Sequence, residues 1–131
     1  MRLHAVLATT ALLALTAAAP ATAAPSVGPA PEGDLFLTVS GGGHTWIRGV
    51  GLVCPPRPGG HHPHTAAACA DIAAAGGDLD ALPGDPHLCT KEFDPVTAEA
   101  TGIWDGRRVS WRRTFSNACE LDVATGPVFR F

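Results

Sequence analysis

Lysine is almost missing from this sequence: among 131 residues there is one, Lys91, while arginines supply every other fixed positive side-chain charge. Acidic residues outnumber basic ones, 12 against 9, and no basic stripe with interleaved aromatics is present, which argues against a nucleic-acid partner. No G-x-S-x-G elbow surrounds Ser26, Ser40, Ser110 or Ser116, and no H-E-x-x-H occurs, so these two hydrolase signatures are absent. No C-x-x-C pair exists and no histidine stands at a finger-like offset, so neither a metal site nor a cofactor is expected. No repeat period is visible, and past the N-terminal segment no stretch is apolar enough to span a bilayer.

The N-terminal segment itself has the plan of a secretory signal. Arg2 gives a short positive region, "LHAVLATTALLALTAAA" an apolar run, and Ala21-Thr22-Ala23 the small-residue cleavage pattern. Cleavage after Ala23 removes residues 1–23 and changes the net charge from −3 to −4, with 8 basic residues left against 12 acidic. The expected product is a secreted, extracellular single domain with no membrane anchor. Residues 24–33, "APSVGPAPEG", read as a flexible Pro/Gly arm ahead of a folded domain at 34–131.

Export gives meaning to the four cysteines, Cys54, Cys69, Cys89 and Cys119. In an oxidising compartment two disulfides are the default, with three connectivities open, and oxidation also removes a thiolate nucleophile. A core of this size is modest, and each crosslink closing a moderate loop is worth about 3 to 4 kcal/mol in the chain-entropy picture.

Strand signals come in pairs. "LFLTVS" and "WIRGVGLVC" flank Gly41-Gly42-Gly43, and "VTAEATGIW" and "RRVSWRRTF" flank Asp105-Gly106, the strongest hairpin signal present. Val109, Trp111 and Phe115 share one face of the latter strand, a face that Arg113 interrupts, so Arg113 is expected near a strand end or an interface. The final "PVFRF" reads as a fifth strand. Between the hairpins, "AAACADIAAAGG" is a helix with Thr65 as N-cap, Cys69 and Ile72 on its buried side and Gly76-Gly77 at its end. "DLDALPG" permits a short second helix. The expected fold is α+β, a five-stranded antiparallel sheet packed with one main α-helix, a short second helix and two disulfides.

Two local clusters are candidates for function. His61, His62 and His64 in "HHPH" could catch a metal, but no Cys, Asp or Glu nearby completes a ligand set, and a solvated Gly/Pro loop is the simpler reading. The second is "LCTKEFD", residues 88–94, which holds the lone lysine beside a crosslinked cysteine. Its default role is a connection between a helix and a hairpin. Its chemistry also suits a protease cleft: apolar Leu88, small Thr90, cationic Lys91, and Pro95 stiffening the exit. An extended, restrained segment docks with little entropy loss.

Four stretches in this order, "ACADIAAAGGDLDAL", "CTKEFDPV", "GIWDGRRVSWRRTFSNACE" and "PVFRF", with the four cysteines in register, resemble the Streptomyces subtilisin inhibitor family, secreted bacterial protein inhibitors of serine proteases. The resemblance runs from about Leu35 to Phe131. It implies a five-stranded sheet with helices, disulfides Cys54–Cys69 and Cys89–Cys119, and a homodimer formed sheet to sheet. It also implies a reactive bond two residues past the third cysteine, here Lys91–Glu92, within a protease-contacting loop that includes Leu88, Cys89, Thr90 and Phe93. Asn117, two residues before the last cysteine, would support that loop together with Pro95. The implied partners are subtilisin-like and trypsin-like serine proteases, with no enzymatic activity of its own; the alternative is a secreted binding module on the same scaffold. Two departures from the family pattern stand out: a shorter connection from Gly41 to Trp46, and Thr90 where proline also occurs.

Overall fold

Alternation of buried and exposed side chains organises the middle of the first hairpin. Leu35, Leu37 and Val39 point to one side of strand β1 (Gly33–Gly41) and are buried, while Asp34 and Phe36 point to the other and are exposed. Strand β2 (Ile47–Cys54) returns antiparallel with Val50 opposite Leu37 and Leu52 opposite Leu35, so both strands bury the same face. Strands β3 (Val96–Trp104) and β4 (Arg107–Phe115) are joined at Asp105 and Gly106, whose φ values of 48° and 75° are both left-handed, as a two-residue type I′ turn requires. β3 also pairs with β1, giving an all-antiparallel sheet in the order β2-β1-β3-β4. The computed structural model from which this architecture is read describes residues 19–25, 28–57 and 60–131, so most of the expected signal peptide at 1–23 lies outside the described residues. Among the described residues no helix is long and apolar enough to cross a membrane.

Helix α1 (Thr65–Ala74) buries Ala68, Cys69 and Ile72, three positions on one side that share the core with the inner face of the sheet. Its short side chains permit close approach, and Cys69 is bonded to Cys54 at the end of β2. The helix starts one residue earlier than expected: His64 occupies the cap position, and Thr65, inside the helix, donates its hydroxyl to the His62 carbonyl at 2.7 Å. The histidine loop corrects the expectation of three solvated side chains. His61 and His64 are exposed, but His62 is buried. Its Nδ1 accepts the His64 amide at 3.0 Å, so Nε2 carries the hydrogen and donates to the Val128 carbonyl at 2.9 Å. Burial lowers its pKa below the ordinary histidine value; His64 pushes the same way and the Val128 bond partly opposes.

The fifth strand is not there. Among the described residues the sheet has four strands, and "PVFRF" contributes a 3₁₀ turn at Gly126–Phe129 instead. Val128 and Phe129 are adjacent in sequence yet both buried, which a strand wet on one face does not allow; the turn packs between the helices α1 and α2. Helix α2 (Ala118–Thr125) follows β4 almost directly and has no counterpart among the expected elements. It begins because Asn117 is an N-cap: its Oδ1 accepts the Glu120 amide at 2.9 Å. Leu121 and Thr125 face inward. The short helix expected in "DLDALPG" is a 3₁₀ turn at Leu79–Ala81, and the second disulfide is Cys89–Cys119, as the resemblance implied. Arg113, expected near a strand end or an interface, lies in the last third of β4 with its guanidinium over the Phe115 ring.

Candidate functional site

Residues 82–95 carry no regular secondary structure, so their placement has to come from contacts with what lies beneath. The segment is laid onto α2 at Gly84, where φ is +67° and a Cβ would stand 2.2 Å from the Val123 carbonyl oxygen. Only glycine fits there. The next amide, of Asp85, donates to that same carbonyl at 3.0 Å. Four residues on, Cys89 is bonded to Cys119 in the first turn of α2.

From there the chain runs out into solvent. Leu88 is 99% exposed and Phe93 83%, values at which two large apolar side chains contribute nothing to the free protein's core. Thr90, Lys91 and Glu92 between them are exposed as well, and none of the ion pairs among the described residues involves Lys91. The segment comes back at Asp94, whose amide donates to the Ser116 carbonyl at 3.0 Å, and at half-buried Pro95, which leads into β3.

Under the middle of this arch sits Asn117, the chain's one asparagine, buried to 7% exposure. Its Nδ2 donates to the Thr90 carbonyl at 3.2 Å and to the Glu92 carbonyl at 2.8 Å. One amide therefore holds backbone oxygens on either side of Lys91, while its own oxygen caps α2. A polar side chain this buried is stable because its donors and its acceptor are all used. The structure thus brings Leu88, Cys89, Thr90, Lys91, Glu92, Phe93, Pro95 and Asn117 into one unit.

Two groups of metal-ligating residues border the arch. His87 lies near Cys89 and Cys119, but both sulfurs are in the disulfide; Asp85 and Asp122 lie near His87, but both carboxylates are engaged by Arg130. The Arg130 contacts join segments 8 and 45 residues apart, and no local pattern in the sequence announces them. Asn117 as a helix cap did have a signal, an Asn followed three positions later by Glu120.

Residues 31–117 match the family described as Subtilisin inhibitor-like. "Subtilisin inhibitor-like protein 5" of Streptomyces fradiae is 46% identical over 102 residues, covering 74% of this chain and 95% of that protein. A "Subtilase-type protease inhibitor" of Streptomyces coelicolor is 44% identical over 119 residues, 87% of this chain and 81% of the relative. Among solved structures, Streptomyces caespitosus sermetstatin in complex with Bacillus licheniformis subtilisin superposes with a TM-score of 0.58 at 36% identity, across 77% of this chain and 99% of the other.

Proposed function

The chain belongs to the subtilisin inhibitor-like family, a family of protease inhibitors and not of enzymes, and we propose that it is a secreted inhibitor of serine proteases whose reactive bond is Lys91–Glu92. The observation that carries this reading is the Asn117 amide bonded to the carbonyls of both Thr90 and Glu92 beneath an exposed Lys91.

In this reading the protease's serine meets the Lys91 carbonyl as it would a substrate's. Residues 88–93 lie in the cleft as an added strand, main-chain bonds giving affinity and side chains selectivity. Lys91 enters the primary pocket, where trypsin-type enzymes place a carboxylate. Leu88 fills a neighbouring apolar subsite, so subtilisin-type enzymes, with broader pockets, are targets too. An interface of this class buries about 1,600 Å².

Inhibition rather than digestion follows from the tethers. After acyl transfer to the serine, the new amino group of Glu92 has nowhere to go: Asn117 holds the Glu92 carbonyl, Ser116 holds the Asp94 amide, and Cys89–Cys119 ties the acyl side to the same helix turn. The amine stays next to the acyl carbon and religation outruns hydrolysis. Dimerisation through the open sheet face completes the proposal, supported by Phe36, Ile47 and Ile103, which are 55%, 68% and 44% exposed on that face.

The test is an inhibition panel with the chain lacking residues 1–23. Subtilisin and trypsin should both be inhibited at concentrations of about 1 μM or below. Failure against both at that concentration would overturn the proposal in favour of a binding module that merely shares the scaffold.

A further inference from the structure

A cluster of charged side chains from three separate segments meets beside the arch, and the inhibition just described makes no use of it. Arg130, following the 3₁₀ turn, donates from Nε to Asp122 Oδ1 at 2.8 Å and from Nη2 to Asp122 Oδ2 at 3.0 Å, a two-pronged fork. The same Nη2 donates to Asp85 Oδ2 at 2.9 Å. The hydrogen bonds to Asp122 and Asp85 raise the guanidinium pKa further above its already high value, so the cluster's cation is permanent. His87 closes the group: its Nδ1 donates to the Asp85 carbonyl at 2.6 Å, leaving Nε2 3.6 Å from Asp122 Oδ2 and 3.5 Å from Cys119 Sγ.

The covalent connections make this arrangement a ring. Asp85 lies four residues before Cys89; Cys89 is bonded to Cys119; Asp122 lies three residues after Cys119, on the same side of α2; and Arg130 joins Asp122 back to Asp85. A lone disulfide fixes one point of a segment and leaves it free to pivot. The leg at 84–88 has, among the described residues, one backbone bond to another segment, from Asp85 to Val123. The clasp supplies a side-chain tie at the same residue.

We infer that Arg130 is a positioning residue for the loop, clasping Asp85 to Asp122 so that the leg before Cys89 stays on α2 while a protease works at the bond. The inference rests on the inhibitor reading of Lys91–Glu92. Its mechanical consequence is that the acyl half of a cleaved bond keeps its place, which favours religation. All three charged side chains remain partly exposed, from 32% to 56%, so the contribution to global stability is small and is weakened by salt. The fork and the shared cation are what set it apart from an ordinary surface pair.

The experiment compares the unmodified chain with Arg130→Ala and Arg130→Lys. The readouts are the rate at which trypsin cuts Lys91–Glu92 in the complex, the thermal midpoint, and hydrogen exchange of the Asp85 amide, which is bonded to the Val123 carbonyl, in the free protein. Arg130→Ala is expected to shift the midpoint by less than about 2 °C, to be cut about three to ten times faster, and to exchange faster at the Asp85 amide. Arg130→Lys, which keeps the charge but not the fork, should fall between the two. High salt should narrow the gap. Unchanged exchange in Arg130→Ala overturns the clasp, as does a cutting rate that moves only in step with the midpoint without any rescue by lysine. Should the unmodified chain inhibit neither trypsin nor subtilisin, the inhibitor reading fails separately, and the exchange measurement still decides whether Arg130 holds the leg.

Discussion

The two disulfides do opposite jobs. Cys54–Cys69 joins a strand to a helix inside the core, with Cys54 2% and Cys69 8% exposed, among Leu52, Ile72 and their neighbours. Cys89–Cys119 lies half-exposed and joins a segment with no core of its own to the first turn of α2. Their loops span 15 and 30 residues, so in the chain-entropy picture each is worth a similar 3 to 4 kcal/mol or about that. The difference lies in what surrounds them. Around the first bond, burial already fixes the geometry. Around the second, a crosslink, one asparagine amide, a backbone bond to Ser116 and the Arg130 clasp stand in for packing. On the proposed function the segment fits into another protein's cleft and so cannot bury its own side chains; it is held from below at a few points.

The sharpest way to break the comparison is Lys91→Glu. Trypsin inhibition should fall on the order of a thousandfold, since a carboxylate replaces the cation in a carboxylate-floored pocket, while the thermal midpoint stays within about 2 °C. A comparable loss of stability would mean that the arch is part of the core after all. The reverse substitution is Leu52→Ala, at a fully buried position opposite Leu35. It should cost about 3 kcal/mol by denaturant titration and leave inhibition unchanged wherever the protein is still folded. Weakened inhibition under those conditions would show that the two regions are coupled.

Asn117 stands on the boundary and can be split. Asn117→Asp keeps an N-cap oxygen for Glu120 but removes both amide donors to Thr90 and Glu92. Inhibition should weaken about tenfold, with the midpoint little changed. If stability falls and inhibition does not, the two amide bonds serve the fold and not the presentation of the Lys91–Glu92 bond.

The smallest effect concerns the buried side alone. His62 has a pKa lowered in the folded state, so as pH falls below the ordinary histidine value of about 6.5 the unfolded chain takes up a proton that the folded chain refuses. Stability is therefore full above that pH and is lost on acidification until the folded-state pKa is reached, with a slope no steeper than about 1.4 kcal/mol per pH unit. Denaturant titrations of His62→Gln should lack this component. Inhibition by the unmodified chain should not follow it, because the histidine holds Val128 and lies outside the arch.

Much of this contrast was legible in the sequence, unevenly. Both hairpins showed in their alternation and in Asp105-Gly106, and α1 showed in its alanines, because these signals are local. The last strand was misread because "PVFRF" alternates only if it lies on a sheet; packed against two helices, it buries neighbours instead. Helix α2 was missed although Asn117 and Glu120 marked its start, since strand residues ran directly into it. The burial of His62 was invisible because its partner, Val128, is 66 residues away. At the site, composition alone made Lys91 conspicuous, and resemblance supplied Asn117, whose contacts reach back 25 and 27 residues. The Arg130 clasp had neither a local pattern nor a resemblance behind it.

The central claim is that Lys91–Glu92 is offered as a substrate and kept from being consumed. It is tested most directly by incubating the chain with a catalytic amount of trypsin and identifying the cut by mass spectrometry over time. The expected result is a single cut between Lys91 and Glu92, with intact and cut forms settling at the same ratio from either starting material while inhibition persists. A first cut at another bond, or steady conversion to fragments with inhibition draining away, would contradict it.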